Sequence, residues 1–223
     1  MSAVGLETSA DIQDFVHACD RMNALKYTET QQREYVRVTL HCCNLEKTYN
    51  PYYTLVLNHL CSESYSHRFT LQYALWDLLR EGAGTNVAKT MAYIIARGSM
   101  DLTVFKVCSA IVGPVFQGQA DRQAIDFTTL KKNMIAFFKT LLPFVILATQ
   151  TTSPLFVLSK QQYDKEVIQD VFEKSLANPE LAQGLAYVIT RYGGKMGEGL
   201  DERQAAVVKK GLEAGKKVLA RSL

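Results

Sequence analysis

With 223 residues, 48% hydrophobic content and 21% charged residues, the chain can fill the core of one large domain or two small ones. Its 13 Gly and 5 Pro exclude collagen-like, low-complexity and disordered classes. The formal charge of +3 lies wholly in the tail, because residues 1–194 balance eighteen Lys+Arg with eighteen Asp+Glu whereas residues 195–223 carry seven against four.

The first residues are acidic, without the basic start and apolar stretch of a secretory signal. The longest uncharged run, residues 140–159, is broken by Pro143, Pro154 and the polar stretch 149–153, so no membrane span is expected. Five cysteines, an odd number, fall in apolar helical patterns, which fits reduced core thiols and an intracellular protein.

Helical periodicity then recurs along the chain. Ile12, Phe15, Val16 and Cys19, behind Ser9 as a cap, predict a helix near 10–22. Thr30 opens a second near 31–46, with Val36, Leu40 and Cys43 as its apolar stripe and Arg33, Glu34, Arg37, His41 and Asn44 on an arc facing solvent or a partner. Asn50-Pro51 starts a third, since Asn accepts from orphan amides and Pro at the first position loses no bond. Ser66 is expected to cap a fourth. There Phe69, Tyr73 and Trp76 share one side and Leu71, Leu75 and Leu78 another, which predicts a helix sandwiched on both. Further helices are expected near 85–97, 129–149, 160–176, 179–192 and 201–221. The stretch 102–116 fits a strand or a buried helix by periodicity and is assigned here to a helix. Loops are expected at 113–126 and 148–158. The economical fold is all-α: antiparallel helix pairs stacked as in HEAT-type solenoids over residues 1–194, with an amphipathic basic helix in residues 195–223.

Several constellations suggest chemistry and lose on geometry. His41, Cys42, Cys43, His59, Cys61 and His67 are metal-ligand types, but neighbours on a helix diverge by about 100°, and no CxxC or HExxH occurs. The glycine-rich stretch 193–199 follows a helix rather than a strand, so Gly193 is better placed as a helix C-cap than as a phosphate loop. No nucleophile carries the local signature of activation. No catalytic residue, metal or cofactor is therefore assigned. Lys209, Lys210, Lys216 and Lys217 recur at i, i+7 and form a basic stripe that could follow a phosphate backbone, though no aromatic interleaves with it. Gly211 and Gly215 weaken this helix unless close packing requires them.

The segment VRVTLHCCNLEKTYNPYYTLVLNHLC, followed by RFTLQYALWDLLRE, resembles the MA-three domain, a stack of helix pairs found in translation-initiation scaffolds. It looks closest to the C-terminal part of the nucleolar MIF-four-G domain proteins. The residues that carry the likeness are Cys42-Cys43, the run from Glu46 to Tyr53, Leu60-Cys61, Arg68-Phe69 and Trp76-Asp77, with a looser match at residues 100–107. The resemblance implies a non-enzymatic scaffold in the nucleolus, active in small-ribosomal-subunit assembly and rRNA processing. Its implied partners are a DEAD-box RNA helicase of the initiation-factor four-A type, small-subunit precursor proteins and pre-rRNA. A spliceosomal scaffold with a similar CC…EKTY signature is the alternative, and direct RNA binding through the tail helix is a further one. Packing explains most landmark residues, whereas it explains Arg33, Arg37, Lys47, Arg68, Asp77 and Arg80 least; these are the candidate partner contacts or inter-helix ion pairs.

Overall fold

The computed structural model describes residues 15–21, 24–25, 27–109, 130–158 and 163–222. Among the described residues there are nine α-helices and no strand. They are α1 (residues 15–21), α2 (Glu29–Leu45), α3 (Pro51–Glu63), α4 (Tyr65–Glu81), α5 (Thr85–Ala96), α6 (Lys132–Thr149), α7 (Lys165–Glu173), α8 (Pro179–Tyr192) and α9 (Glu202–Leu219). The expected cap at Ser9, the loop at 113–126 and the far end of the 102–116 segment lie outside the described residues. Of that last segment, Leu102–Ser109 is a 3-10 helix rather than an α-helix.

Local chemistry explains most of the boundaries. Asn50 and Asn178 accept from Tyr52 and Leu181 amides, each just ahead of a proline in the first helical position. Thr28 with Gln31, and Asp201 with Gln204, form reciprocal capping boxes. Two caps differ from expectation. Thr28 replaces Thr30, and Ser64 replaces Ser66, whose hydroxyl instead accepts from Arg33 Nε at 2.7 Å. Gly193 does close α8, but at φ −55° it continues into a short 3-10 turn rather than turning left-handed.

The helices stack as antiparallel pairs. α2 and α4 run parallel with α3 returning between them: Arg33 meets Ser66 at their starts, and Asn44 Oδ1 accepts the Gly84 amide at 2.8 Å at the other end. α5 then enters the middle, with nine of its twelve residues buried. α2 and α3 cover one flank and α6 covers the other. Side chains bind this junction. Asn86 donates to the Glu46 and Thr48 carbonyls, and Lys89 Nζ lies 4.8 Å from the Phe144 ring centroid and 5.4 Å from that of Tyr49. Arg97 donates to Ala148 and Thr151 carbonyls at 2.6 and 3.1 Å, placing a cation on the unpaired carbonyl end of α6.

By length and composition α6 would suffice to cross a membrane. Here its apolar residues make the core between α5, α8 and α9, and the helix continues through Pro143. The segment after it is held in place by distant groups, with Tyr49 and Tyr93 hydroxyls donating to Pro154 and Thr152 carbonyls. Within it Phe156 is buried at φ +58°, a backbone conformation that costs a bulky residue about 1–3 kcal/mol.

The basic helix α9 packs against α6, α7 and α8. Its glycines let it approach closely. A β-carbon at Gly211 would collide with Ile146, and one at Gly215 would stand 2.7 Å from the ring of fully buried Phe172. In an open helix Gly→Ala gains about 1 kcal/mol. At Gly215 the sign is expected to reverse, because three atoms of the buried Phe172 ring lie within 2.9 Å of the added carbon and the ring would have to shift within a packed core. Gly215→Ala is expected to lower unfolding free energy by about 1–3 kcal/mol, read from the denaturation midpoint.

Candidate interaction surface

Four of the six candidate contact residues come together on the face shared by α2 and α4. Arg37 and Asp77 line a groove of about 360 Å³ floored by Val38, Leu40, Ala74 and Leu78. Arg33 lies one turn before Arg37, and Arg80 pairs with Asp77 at 2.7 Å. Each arginine holds a carboxylate on its own helix: Arg33 with Glu29 at 2.7 Å, Arg37 with Glu34 at 2.8 Å and Arg80 with Asp77. These pairs are all substantially exposed, and exposed pairs of this spacing hold little net free energy. Exchanging them for a partner's charges therefore costs the fold little. Hydrogen bonding from Arg33, and secondarily Ser66, holds the Glu29 carboxyl below its ordinary pKa.

The remaining candidates lie apart. Lys47 is exposed in the turn between α2 and α3. Arg68 sits on the opposite flank of α4, its guanidinium 5.7 Å from the Tyr65 ring centroid, and lines a second groove. Lys209, Lys210, Lys216 and Lys217 are all exposed on the outer side of the docked α9. An aromatic does reach this stripe: Tyr163, just before α7, has Lys210 Nζ 5.7 Å from its ring centroid. It comes from 47 positions upstream, beyond the reach of a periodicity argument.

Helix α4 also departs from expectation. It is not sandwiched. Phe69 and Tyr73 are 46% and 47% exposed, and with Tyr65 at 74% they form an aromatic ladder at i, i+4, i+8. Trp76 is buried, and its indole N–H donates to the Val104 carbonyl at 2.9 Å, which ties down the 3-10 segment.

Other landmark residues have internal duties. Cys43 Sγ lies 3.3 Å from Thr90 Oγ1, which meets Thr54 Oγ1 at 2.8 Å, and Thr54 meets Tyr49 Oη at 2.9 Å. This buried chain joins α2, α5, α3 and the loop carrying Tyr49, so each polar atom has a partner. Burial pushes the Cys61 thiol up to about 12 and Cys19 to about 11, and it raises Cys43 and Tyr49 as well. Among the described residues no three His, Cys, Asp or Glu side chains are placed to hold a metal ion. His67 instead uses Nδ1 on the Leu60 carbonyl, and His59 meets the edge of Phe15.

Residues 3–98 match the family model described as the MA3 domain. That segment, rather less than half of the chain, is therefore similar to MA3 domains. The chain is 24% identical over 154 residues to nucleolar MIF4G domain-containing protein 1 of Mus musculus, covering 66% of this chain and 16% of that protein. With suppressor of glycerol defect protein 1 of Schizosaccharomyces pombe it shares 29% identity over 108 residues, 42% of this chain and 14% of the relative. A pre-mRNA-splicing factor CWC22 homolog of Mus musculus is 24% identical over 109 residues, 46% of this chain and 12% of its own length. The chain thus spans less than a fifth of each of these relatives. No solved structure matches it. The matched segment contains α2 to α5, and so both the groove and the aromatic ladder.

The buried thiols give a pH dependence with a definite sign. Raised folded-state pKa values mean that the neutral forms are favoured in the fold. Their stabilisation is complete below the unfolded value near 9 and is lost as pH rises through about 12. Thermal midpoints should therefore fall over that interval, by less in Cys61→Ala. At pH 8, iodoacetamide should leave Cys43 and Cys61 unmodified until denaturant is added, as peptide mass analysis would show.

Proposed function

We propose that this protein is a non-enzymatic protein-interaction scaffold of the MA3 type that serves small-ribosomal-subunit assembly and rRNA processing in the nucleolus beside a DEAD-box RNA helicase. The observation that carries the reading is homology to the nucleolar MIF4G domain-containing proteins over about two thirds of the chain. The α2–α4 face gives it a physical form. A groove with an aliphatic floor and exchangeable charges at Arg33, Arg37, Asp77 and Arg80 suits a partner whose apolar anchor enters while its own charges replace Glu29, Glu34 or Asp77. Lys47 and Arg68 lie apart from this face and are not part of it.

Such a scaffold acts by differential binding. If it holds one conformation of a helicase more tightly than another, it shifts that equilibrium by no more than the difference in affinity. A second reading, a spliceosomal scaffold, is favoured by the similarity to the pre-mRNA-splicing factor CWC22 homolog.

Affinity purification from nuclear extract separates the two readings. Recovery of small-subunit precursors and a helicase supports ribosome assembly, whereas recovery of spliceosomal proteins replaces it with the splicing role. Arg37→Glu with Asp77→Arg should reduce partner recovery at least about tenfold, the loss expected for a contact worth about 1.4 kcal/mol, while leaving the melting temperature within about 2 °C. Undiminished recovery would remove the α2–α4 face from the proposal.

A further inference from the structure

The outer arc of α4, beside the charged groove and turned toward the 3-10 segment, has a different chemistry. Tyr65, Phe69 and Tyr73 succeed one another at four-residue intervals, about 6 Å apart along the helix axis, with much of each ring in solvent. The Phe69 and Tyr73 centroids are 4.5 Å apart, and Tyr73 lies 4.8 Å from Trp76, so the ladder has a buried aromatic as its base. A groove of about 330 Å³ runs beside it, and three cations enter its lining from distant parts of the sequence: Arg68 on α4, Lys106 on the 3-10 segment and Lys174 after α7. Asp101, the one carboxylate in that lining, accepts from the Thr103 amide and hydroxyl and is occupied in capping the turn.

We infer that this flank is a binding platform for single-stranded nucleic acid, with bases stacked on Phe69, Tyr73 and Tyr65 and phosphates neutralised by Arg68, Lys106 and Lys174. Exposed aromatic rings beside a positively charged groove are what such binding requires. Stacking tolerates any base because every base has a π-face, and the cations follow the backbone. A peptide anchor would be better served by an aliphatic pocket, as on the α2–α4 groove. Here Gln72, Ser99 and Thr103 contribute a polar lining, and the aromatic surface is open rather than recessed. The site differs from the lysine stripe of α9. That stripe has one aromatic, Tyr163, at its edge, and α7 beside it carries Glu166, Asp170 and Glu173 exposed at i, i+4, i+7. Two of the platform's residues, Arg68 and Phe69, belong to the string that carries the family resemblance, and the fold gives them neither a buried position nor an ion pair among the described salt bridges. The inference does not rest on the proposed partner reading: the two surfaces adjoin on the outer arc of α4, where Asp77 follows Tyr73 by one turn, but the platform's cations come from Arg68, the 3-10 segment and the stretch after α7, none of which lines the charged groove.

Fluorescence anisotropy of the full chain with a labelled single-stranded RNA of about 12 nucleotides tests it. Wild-type protein should bind it in preference to duplex RNA of equal length, with a log–log salt slope near about −2, as three neutralised phosphates would give. Phe69→Ala with Tyr73→Ala should weaken binding at least about tenfold with little change in slope, whereas Arg68→Gln with Lys174→Gln should flatten the slope by about 1.4. Because all four positions are accessible, circular dichroism and melting should remain near wild type. Replacing Lys209, Lys210, Lys216 and Lys217 together by Gln should leave the aromatic dependence in place. Binding that disappears in the α9 variant while persisting in the aromatic variant overturns the inference. So does equal affinity for duplex, or capture of an acidic peptide without any RNA binding.

Discussion

Burial of α5 on nearly every side is the constraint from which the other helices take their positions. A helix with apolar residues around most of its circumference cannot rest on one neighbour, and each fully buried Val, Ile or Met in it contributes about 1.5–3 kcal/mol only when its own flank is covered. α2 and α3 close one side and α6 the other. Most of the polar groups that burial traps are then answered, with Arg97 Nε left without a partner. Asn44 takes the Gly84 amide, Asn86 reaches back to the α2–α3 turn, Thr90 joins Cys43 to Thr54, and Arg97 meets the end of α6. Much of the family signature is thereby accounted for as the framework of this one helix.

The same arrangement leaves α4 at the edge of the stack with one flank free. Its Leu71, Leu75 and Leu78 enter the core while Tyr65, Phe69, Tyr73, Asp77 and Arg80 share the outer arc. Exposed aromatic area on this scale carries a hydration cost that the fold itself does not recover. The charged groove toward α2 and the aromatic flank toward the 3-10 segment are thus two surfaces presented by one rigid element. Buried Trp76, through its bond to the Val104 carbonyl, ties this helix to the 3-10 segment.

Sequence made the helices legible where a local signal had a local cause. Asn50-Pro51, Asn178-Pro179 and the alternation of apolar stripes place α3, α8 and most other helices within a few residues, and the family likeness follows from the same segment. It could not say which apolar side of α4 would be covered. Periodicity records that Phe69 and Tyr73 share a side but not whether another helix arrives there. Thr28 and Ser64 take the caps expected at Thr30 and Ser66 because a second hydroxyl stands two residues away in each case, and only the fold assigns Ser66 to Arg33. The grooves were beyond reach for another reason. Arg68, Lys106 and Lys174 become neighbours only after three separate elements have packed, and Tyr163 finds Lys210 only once α9 has docked beside α7.

The glycines of α9 and the burial of α5 bear on one further matter, the relation between ancestry and cooperativity. The family match stops at residue 98, two residues after α5 ends, yet the second flank of α5 is covered by α6, which is in turn covered by α8 and by α9 at glycine distance. A segment inherited as a module is therefore not a segment that can complete its own core. Changes at residues beyond that match, at Ile146, Phe172 or Gly215, bear directly on whether the matched segment holds its shape.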